Sequence, residues 1–241
     1  MSCAAAPPND EKSREAMGCL PALTSTDGHD CRRRKCECSG VRRREVFSLP
    51  PVFDESYYRS VIHEIREMQI ANMGQYAHGN QPIQHMIYLY NYAGEPWKAQ
   101  YWVREAMNRL YNAAPDGYCG DEDNGQTSAW YIFSAMGFYP VCPATDQYVI
   151  GAPLFKKIIL RLENGKTVTI DAPLNSAANR YISNTSFNGK PYSKNWFSHA
   201  ELVKGAVINF SMSAVPNKSK GINPADFPYS LSTEQKEVTK N

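Results

Sequence analysis

Apolar residues recur along this chain with two periods, helical before about Pro143 and alternating after it. In SYYRSVIHEIREMQIANMG, from Ser56, the residues Val61, Ile65 and Met68 share one helical face and Gly74 ends the pattern, so an amphipathic helix is expected. Asn80 and Pro82 read as the N-cap and an early position of a second helix, closed by Gly94. Pro96 opens a third, whose Val103, Met107 and Leu110 mark an inner face. A fourth is expected from about Ser128 to Met136, capped by Asn124 or Thr127 and stopped by Gly137. Its Trp130, Tyr131, Ile132, Phe133 and Met136 are apolar on nearly every side, so it reads as a rod enclosed by other elements. Loops this short imply antiparallel pairs of consecutive helices.

Beyond Pro143, YVIGAP, FKKIILRLENGKTVTIDAP, RYISNTSFNGKPY and AVINFSMSA read as strands of an antiparallel sheet, with Asn164-Gly165 marking a hairpin. The fold class is therefore α+β. Four parts are expected: a leader over 1–45, helices over 46–143, the sheet over 144–217, and a loose polar tail over 218–241. The leader contains no Phe, Trp, Tyr or Ile, so apolar burial cannot offset its ordering entropy, and it is expected to be disordered or non-native.

Charge narrows the partners. A net charge of +2 favours no particular class of ligand. The Arg32-Arg33-Arg34-Lys35 and Arg42-Arg43-Arg44 runs lack interleaved aromatic residues, and no nucleic-acid partner is expected. No apolar run reaches the length of a membrane span, and the polar start shows no secretory core. Cys3, Cys19, Cys31, Cys36 and Cys38 crowd the leader, whereas only Cys119 and Cys142 follow, a distribution unlike a disulfide framework. His29, Cys31, Cys36 and Cys38 lack the paired Cys-x2-Cys spacing of a structural zinc site. Tyr88, Tyr90, Tyr92, Trp97, Tyr101 and Trp102 suit packing, and such rings also wall sugar sites.

The chemistry concentrates in PDGYCGDEDNGQTSAWYIF, which sets Asp121, Glu122 and Asp123 in a turn at a helix N-terminus. The helix dipole and unpaired N–H groups there favour ionised carboxylates, so Asp121 and Asp123 are expected to be bases. Caps and solvated turns use the same residues. An EF-hand loop opening at Asp121 is excluded, because Ile132 holds the position that needs Glu.

HEIREM from His63, GQYAHGNQP from Gly74, YLYNYAGEPWK from Tyr88 and GDEDNGQTSAWYIFSAMGFYPVCP from Gly120 together resemble the calcium-dependent exo-α-mannosidases of glycoside hydrolase family 92. The likeness extends over about Val52 to Asn217. It implies helices of a partial (α/α)6 toroid followed by a β-sandwich-like part, and an inverting hydrolase that removes terminal mannose, α-1,2-linked, from N-glycan or mannan arms. In that chemistry one carboxylate activates water while an acid across the sugar protonates the leaving oxygen. The resemblance makes Asp123 the water activator and Asp121 its helper, and it places His63 and Glu64 beside the sugar. Calcium is implied at the mannose O2 and O3, with Asn80 and Gln81 as candidate neighbours, although many relatives carry Glu at the place of Gln81. Ala144 stands where relatives commonly have Gly. Relatives are exported, and their general acid lies upstream of the HEIREM helix, in a region that residues 1–45 do not match. A chain without that acid forgoes help worth roughly 10² to 10⁴-fold, so this one is expected to be the C-terminal part of a mannosidase and, alone, weakly active or inactive. The alternatives are an inactive remnant that still binds sugar and a toroidal glycosidase of other specificity. Apolar helix faces without their partners would favour self-association.

Overall fold

The computed structural model describes Met68 and residues 71–232. The helix expected from Ser56 lies outside the described residues except for its end, where Met68 is helical and Ala71 and Met73 are buried. Two α-helices follow, α1 over Pro96–Leu110 and α2 over Gln126–Met136. Pro96 starts α1 at a position whose N–H would have no partner. Gly137 stops α2 in the left-handed region at φ 101°, donating its N–H to the Phe133 and Ser134 carbonyls.

The segment between Asn80 and Gly94 departs from expectation. It forms two 3₁₀ stretches, Gln81–Ile83 and Met86–Asn91, in place of one α-helix. Side chains three apart eclipse in such winding, which sets Ile87 over Tyr90 and Tyr88 over Asn91, and all four are buried. The Asn91 amide donates to the Tyr88 carbonyl at 3.0 Å and holds the tightened turn. Tyr88 and Tyr90 are thus core residues.

The α2 helix is not enclosed on every side. Trp130 is fully buried, but Ile132 is 58% exposed and Tyr131 is half-buried. One side of α2 joins the core and another faces outward.

Eight strands follow: β1 (Phe138–Tyr139), β2 (Gln147–Ile150), β3 (Lys157–Arg161), β4 (Thr167–Asp171), β5 (Tyr181–Phe187), β6 (Lys190–Pro191), β7 (Trp196–Ser198) and β8 (Ala206–Ser213). They form a three-stranded sheet, β1-β2-β7, and a five-stranded sheet, β3-β4-β8-β5-β6. Asn164-Gly165 closes the β3–β4 hairpin, with the Lys166 N–H donating to the Asn164 side chain. The expected all-antiparallel sheet needs one correction. β4 and β8 pair in parallel, Val168 against Ala206 through Asp171 against Asn209, because β8 enters the sheet after a long excursion through β5 to β7. Buried Ala206, Ile208, Phe210 and Met212 alternate along β8 and meet Val168, Ile170 and Ile182 in the sheet core. The short helix α3 (His199–Leu202) connects β7 to β8.

Polar side chains of α1 join the helices to the sheets. Buried Arg104 donates to the Pro153 carbonyl and the Asn175 side chain, each at 2.7 Å. The Ile182 N–H donates to Gln100 Oε1, and Arg180 pairs with Glu105. Residues 221–229, from the tail expected to be loose, are tied to the body. Asn195 donates to the Gly221 carbonyl, Ser193 to Asp226, and the Tyr229 N–H to Gln147 Oε1. Ala144 adopts φ 69°, a left-handed conformation that favours glycine.

Candidate active site

The acid turn is the loop between a closed hairpin-like connection and α2. Tyr111 and Tyr118 form an isolated bridge, and the Asn112 N–H donates to the Gly117 carbonyl, so residues 111–118 return the chain to its starting level. Cys119 and Gly120 then lie directly against Gly79. A Cβ on Gly120 would come within 2.6 Å of Gly79 Cα, so only glycines allow the backbones of the two loops to meet. This contact brings the GQYAHGNQP string to the acidic one.

Gln81 takes advantage of that approach. Its Nε2 donates to the Asp121 carbonyl at 3.0 Å, and the Thr127 hydroxyl donates to the same carbonyl at 2.8 Å. Asp121 is thereby held by its backbone from the Gln81 loop and from the start of α2, while its side chain and that of Asp123 stay exposed. Asp123 and Asn124 both adopt left-handed φ, 57° and 56°. That conformation disfavours residues with a Cβ by about 1–2 kcal/mol each, although Asp and Asn tolerate it best. Strain of this kind concentrates at functional turns.

The helix cap differs from both expected ones. Gly125 is the N-cap at φ 99°, and neither Asn124 nor Thr127 caps. Glu122 does so instead, accepting from the Gly125 N–H and, at 3.4 Å, from the Ser128 N–H. The Ser128 hydroxyl, followed by these backbone donors, holds the Glu122 carboxyl below its ordinary range. Glu122 therefore takes the helix-end donors that the sequence reading assigned to its two neighbours.

Behind the turn lies a layer that sequence reasoning missed. His78 is fully buried, with Nδ1 2.7 Å from the Tyr76 hydroxyl and Nε2 2.7 Å from the Tyr111 hydroxyl. Its ring meets Trp130 edge-on at 4.3 Å. Burial lowers its pKa to about 3, so it is a neutral imidazole with one donor and one acceptor. The Tyr111 hydroxyl donates to the Thr127 carbonyl, which fixes the direction: Tyr76 donates to Nδ1, and Nε2–H donates to Tyr111. Gln84 donates to the His78 carbonyl and accepts from Trp130 Nε1 at its own carbonyl. Gln126 donates to the Tyr139 hydroxyl at 2.7 Å. Only the position of His78, two residues before Asn80 in the GQYAHGNQP string, pointed to it.

Of the expected site residues, Gln81 bonds to the Asp121 carbonyl, with Asn80 beside Gln81 in the chain and Asp123 in the same turn as Asp121. His63 and Glu64 lie outside the described residues. Neither of two open grooves, of about 410 Å³ beside Tyr148 and His199 and about 360 Å³ beside Tyr118 and Ile132, is lined by Asp121 or Asp123. The implied calcium finds donors of the right kind in the amide oxygens of Asn80 and Gln81, since calcium takes six to eight oxygens. Among the described residues no three His, Cys, Asp or Glu side chains group to hold a metal ion. These residues alone do not complete a calcium site.

The chain is similar to known glycosidases. The sequence model of the glycosyl hydrolase family 92 catalytic domain matches residues 37–214. An uncharacterized secreted glycosidase of the fungus Arthroderma benhamiae is 29% identical over 156 residues, covering 64% of this chain and 20% of the fungal one. The family GH92 inverting mannosidase BT2199 of Bacteroides thetaiotaomicron superposes with a TM-score of 0.70 at 52% identity, over 81% of this chain and 27% of that one. The α-mannosidase BT3965 of the same species, solved with mannoimidazole, gives a TM-score of 0.72 at 36% identity, over 78% of this chain and 25% of that one. The chain thus spans about a quarter of the length of these solved relatives. With the family match running across the acid turn and both sheets, the chain belongs to glycosyl hydrolase family 92.

Proposed function

We propose that this chain carries the water-activating side of an inverting exo-α-mannosidase that removes terminal α-1,2-linked mannose from glycans. The observation that supports this most is the acid turn. A backbone pinned by Gln81 and by Thr127 of α2 presents two exposed aspartates, in a chain 52% identical, over 81% of its length, to the inverting mannosidase BT2199. Asp123 withdraws the proton of the attacking water, and Asp121 orients it. An acid across the sugar completes an inverting reaction, at a carboxyl separation of about 6.5–9.5 Å that leaves room for the water. His63 and Glu64, read as lying beside the sugar, fall outside the described residues, and the acid is expected upstream of the HEIREM helix, in a region that residues 1–45 do not match.

The helices to residue 143 serve in this reading as an arc of a toroid, and the strands of 144–217 as a sandwich-like buttress. Calcium, held in part by Asn80 and Gln81, would bind the vicinal mannose hydroxyls and ease ring distortion. Export suits the substrate, and the fungal relative is described as secreted. The outward face of α2, with Ile132 exposed, is where self-association would start.

The test is mannose release from an α-1,2-mannobiose with calcium titrated in. The wild-type chain, with no match to the region of the general acid, should release mannose slowly, chelation should abolish the release, and Asp123→Asn should reduce it further by at least about 10²-fold. Release that Asp123→Asn leaves unchanged would defeat the assignment. Because both aspartates border neither groove, sugar binding without turnover is the second reading. Calorimetric heat with mannose but no release at any calcium concentration would favour it.

A further inference from the structure

We propose that the Tyr111 hydroxyl is the positioning group of the acid turn, transmitting the His78 hydrogen bond to Thr127 and through it to Asp121. The inference rests on the reading of Asp121 and Asp123 as the reacting carboxylates, and it adds the residue that holds them still.

Tyr111 is placed without help from its hydroxyl. Its backbone is extended where α1 ends, at φ −129° and ψ 135°, and is tied across the loop to Tyr118. Its ring stacks on Trp130 at 5.8 Å with 7° between planes, tilts against Tyr131 at 4.8 Å and meets Tyr118 edge-on at 5.9 Å. Three rings therefore fix where the hydroxyl goes. Removing that one oxygen leaves the ring seated.

The hydroxyl then joins two segments that are distant in sequence. Its oxygen lies 2.7 Å from His78 Nε2, and its hydrogen is donated to the Thr127 carbonyl at 3.4 Å. Thr127 is buried and held at two further points. Its N–H donates to the Glu122 carbonyl at 3.1 Å and its hydroxyl to the Asp121 carbonyl at 2.8 Å. Thr127 is thus the joint between the buried layer and the turn, and Tyr111 is the side chain that grips the joint from behind. The left-handed backbones of Asp123 and Asn124 would relax if α2 could shift at its first turn. Successive donors that all point one way, Tyr76 to His78 to Tyr111 to Thr127, strengthen one another.

Tyr111→Phe in the full chain tests this by amide hydrogen exchange. Exchange at residues 121–128 should become roughly three- to tenfold faster, the range expected from one net hydrogen bond, while α1 and β8 keep wild-type rates. Thr127→Val, which lacks the hydroxyl, should give a similar local acceleration. Adding Tyr111→Phe to it should then produce less than the product of the two single effects. Unchanged exchange in the turn, acceleration spread evenly over all elements, or fully multiplicative effects would each overturn the proposal. On an α-mannobiose, Tyr111→Phe should lower kcat severalfold while KM moves less than about twofold. A wild-type chain that releases no mannose would count against the mannosidase reading, while the exchange result would still decide the role of Tyr111.

Discussion

The two cores of this chain are built from different chemistry. The sheet core is apolar, with Ile208, Phe210, Ile170, Ile182 and Phe197 almost wholly buried and the rings of Phe187, Tyr192 and Phe197 clustered against one another. The helical core is laced with buried polar groups: His78 between two tyrosines, Tyr88 bonded to Ser134, and Gln84 bonded to the His78 carbonyl. An apolar core is held by area and tolerates small shifts. A polar one is held by direction, because each unmade bond of a buried group costs about 1–3 kcal/mol. The acid turn sits on the directional core, and that is where a site needing fixed geometry belongs.

Truncations should separate the two. Ile208→Ala removes apolar volume from the centre of the five-stranded sheet and should lower stability by about 2–5 kcal/mol in urea unfolding. Its effect should not depend on pH between 5 and 7. A pH-dependent loss in that variant would mean that the cores are not chemically distinct.

Acid should strike the helical core instead. Burial lowers the His78 pKa to about 3, whereas an unfolded histidine titrates near 6.5. Below pH 6.5 the unfolded chain takes up a proton that the folded chain refuses, so stability falls as pH falls through the window from 6.5 towards 3. Between pH 6.5 and 5 this amounts to about 2 kcal/mol. His78→Gln should flatten that part of the stability profile. An equally steep profile in the variant would remove His78 as its source.

A smaller effect probes direction without volume. Tyr88→Phe deletes a hydroxyl 2.8 Å from the Ser134 hydroxyl, both residues fully buried, and should cost about 1–2 kcal/mol. A neutral result would show that this core relies on packing after all. Smallest should be Gly165→Ala, at about 1 kcal/mol. Gly165 turns the β3–β4 hairpin at φ 75°, and an added Cβ would meet nothing within 4 Å, so only backbone conformation changes.

Much of the fold was legible where single residues punctuate the chain. Pro96, Gly137 and Asn164-Gly165 act through their own backbones, and the structure uses each as expected. The 3₁₀ path of 81–91 was not legible, because apolar residues at three- and four-residue spacing suit an α-helix equally well. Nor was the parallel pairing of β4 with β8, since alternation tells which residues face the core but not which strand lies alongside. The acid turn could be read as a turn of carboxylates at a helix start. That Glu122 caps the helix, leaving Asp121 and Asp123 exposed, depends on the left-handed Asp123 and Asn124, and sequence does not specify those angles. His78 and Tyr111 stand 33 residues apart, and no local pattern joins them.

Proton NMR of the anomeric signals during hydrolysis of an α-mannobiose tests the central claim most directly. If Asp123 activates the water, attack comes from the face opposite the leaving group, so β-mannose should appear first and convert to the α-anomer only by mutarotation, with no early signal from Asp123→Asn. First appearance of α-mannose, or a β-mannose signal that persists in Asp123→Asn, would contradict the account.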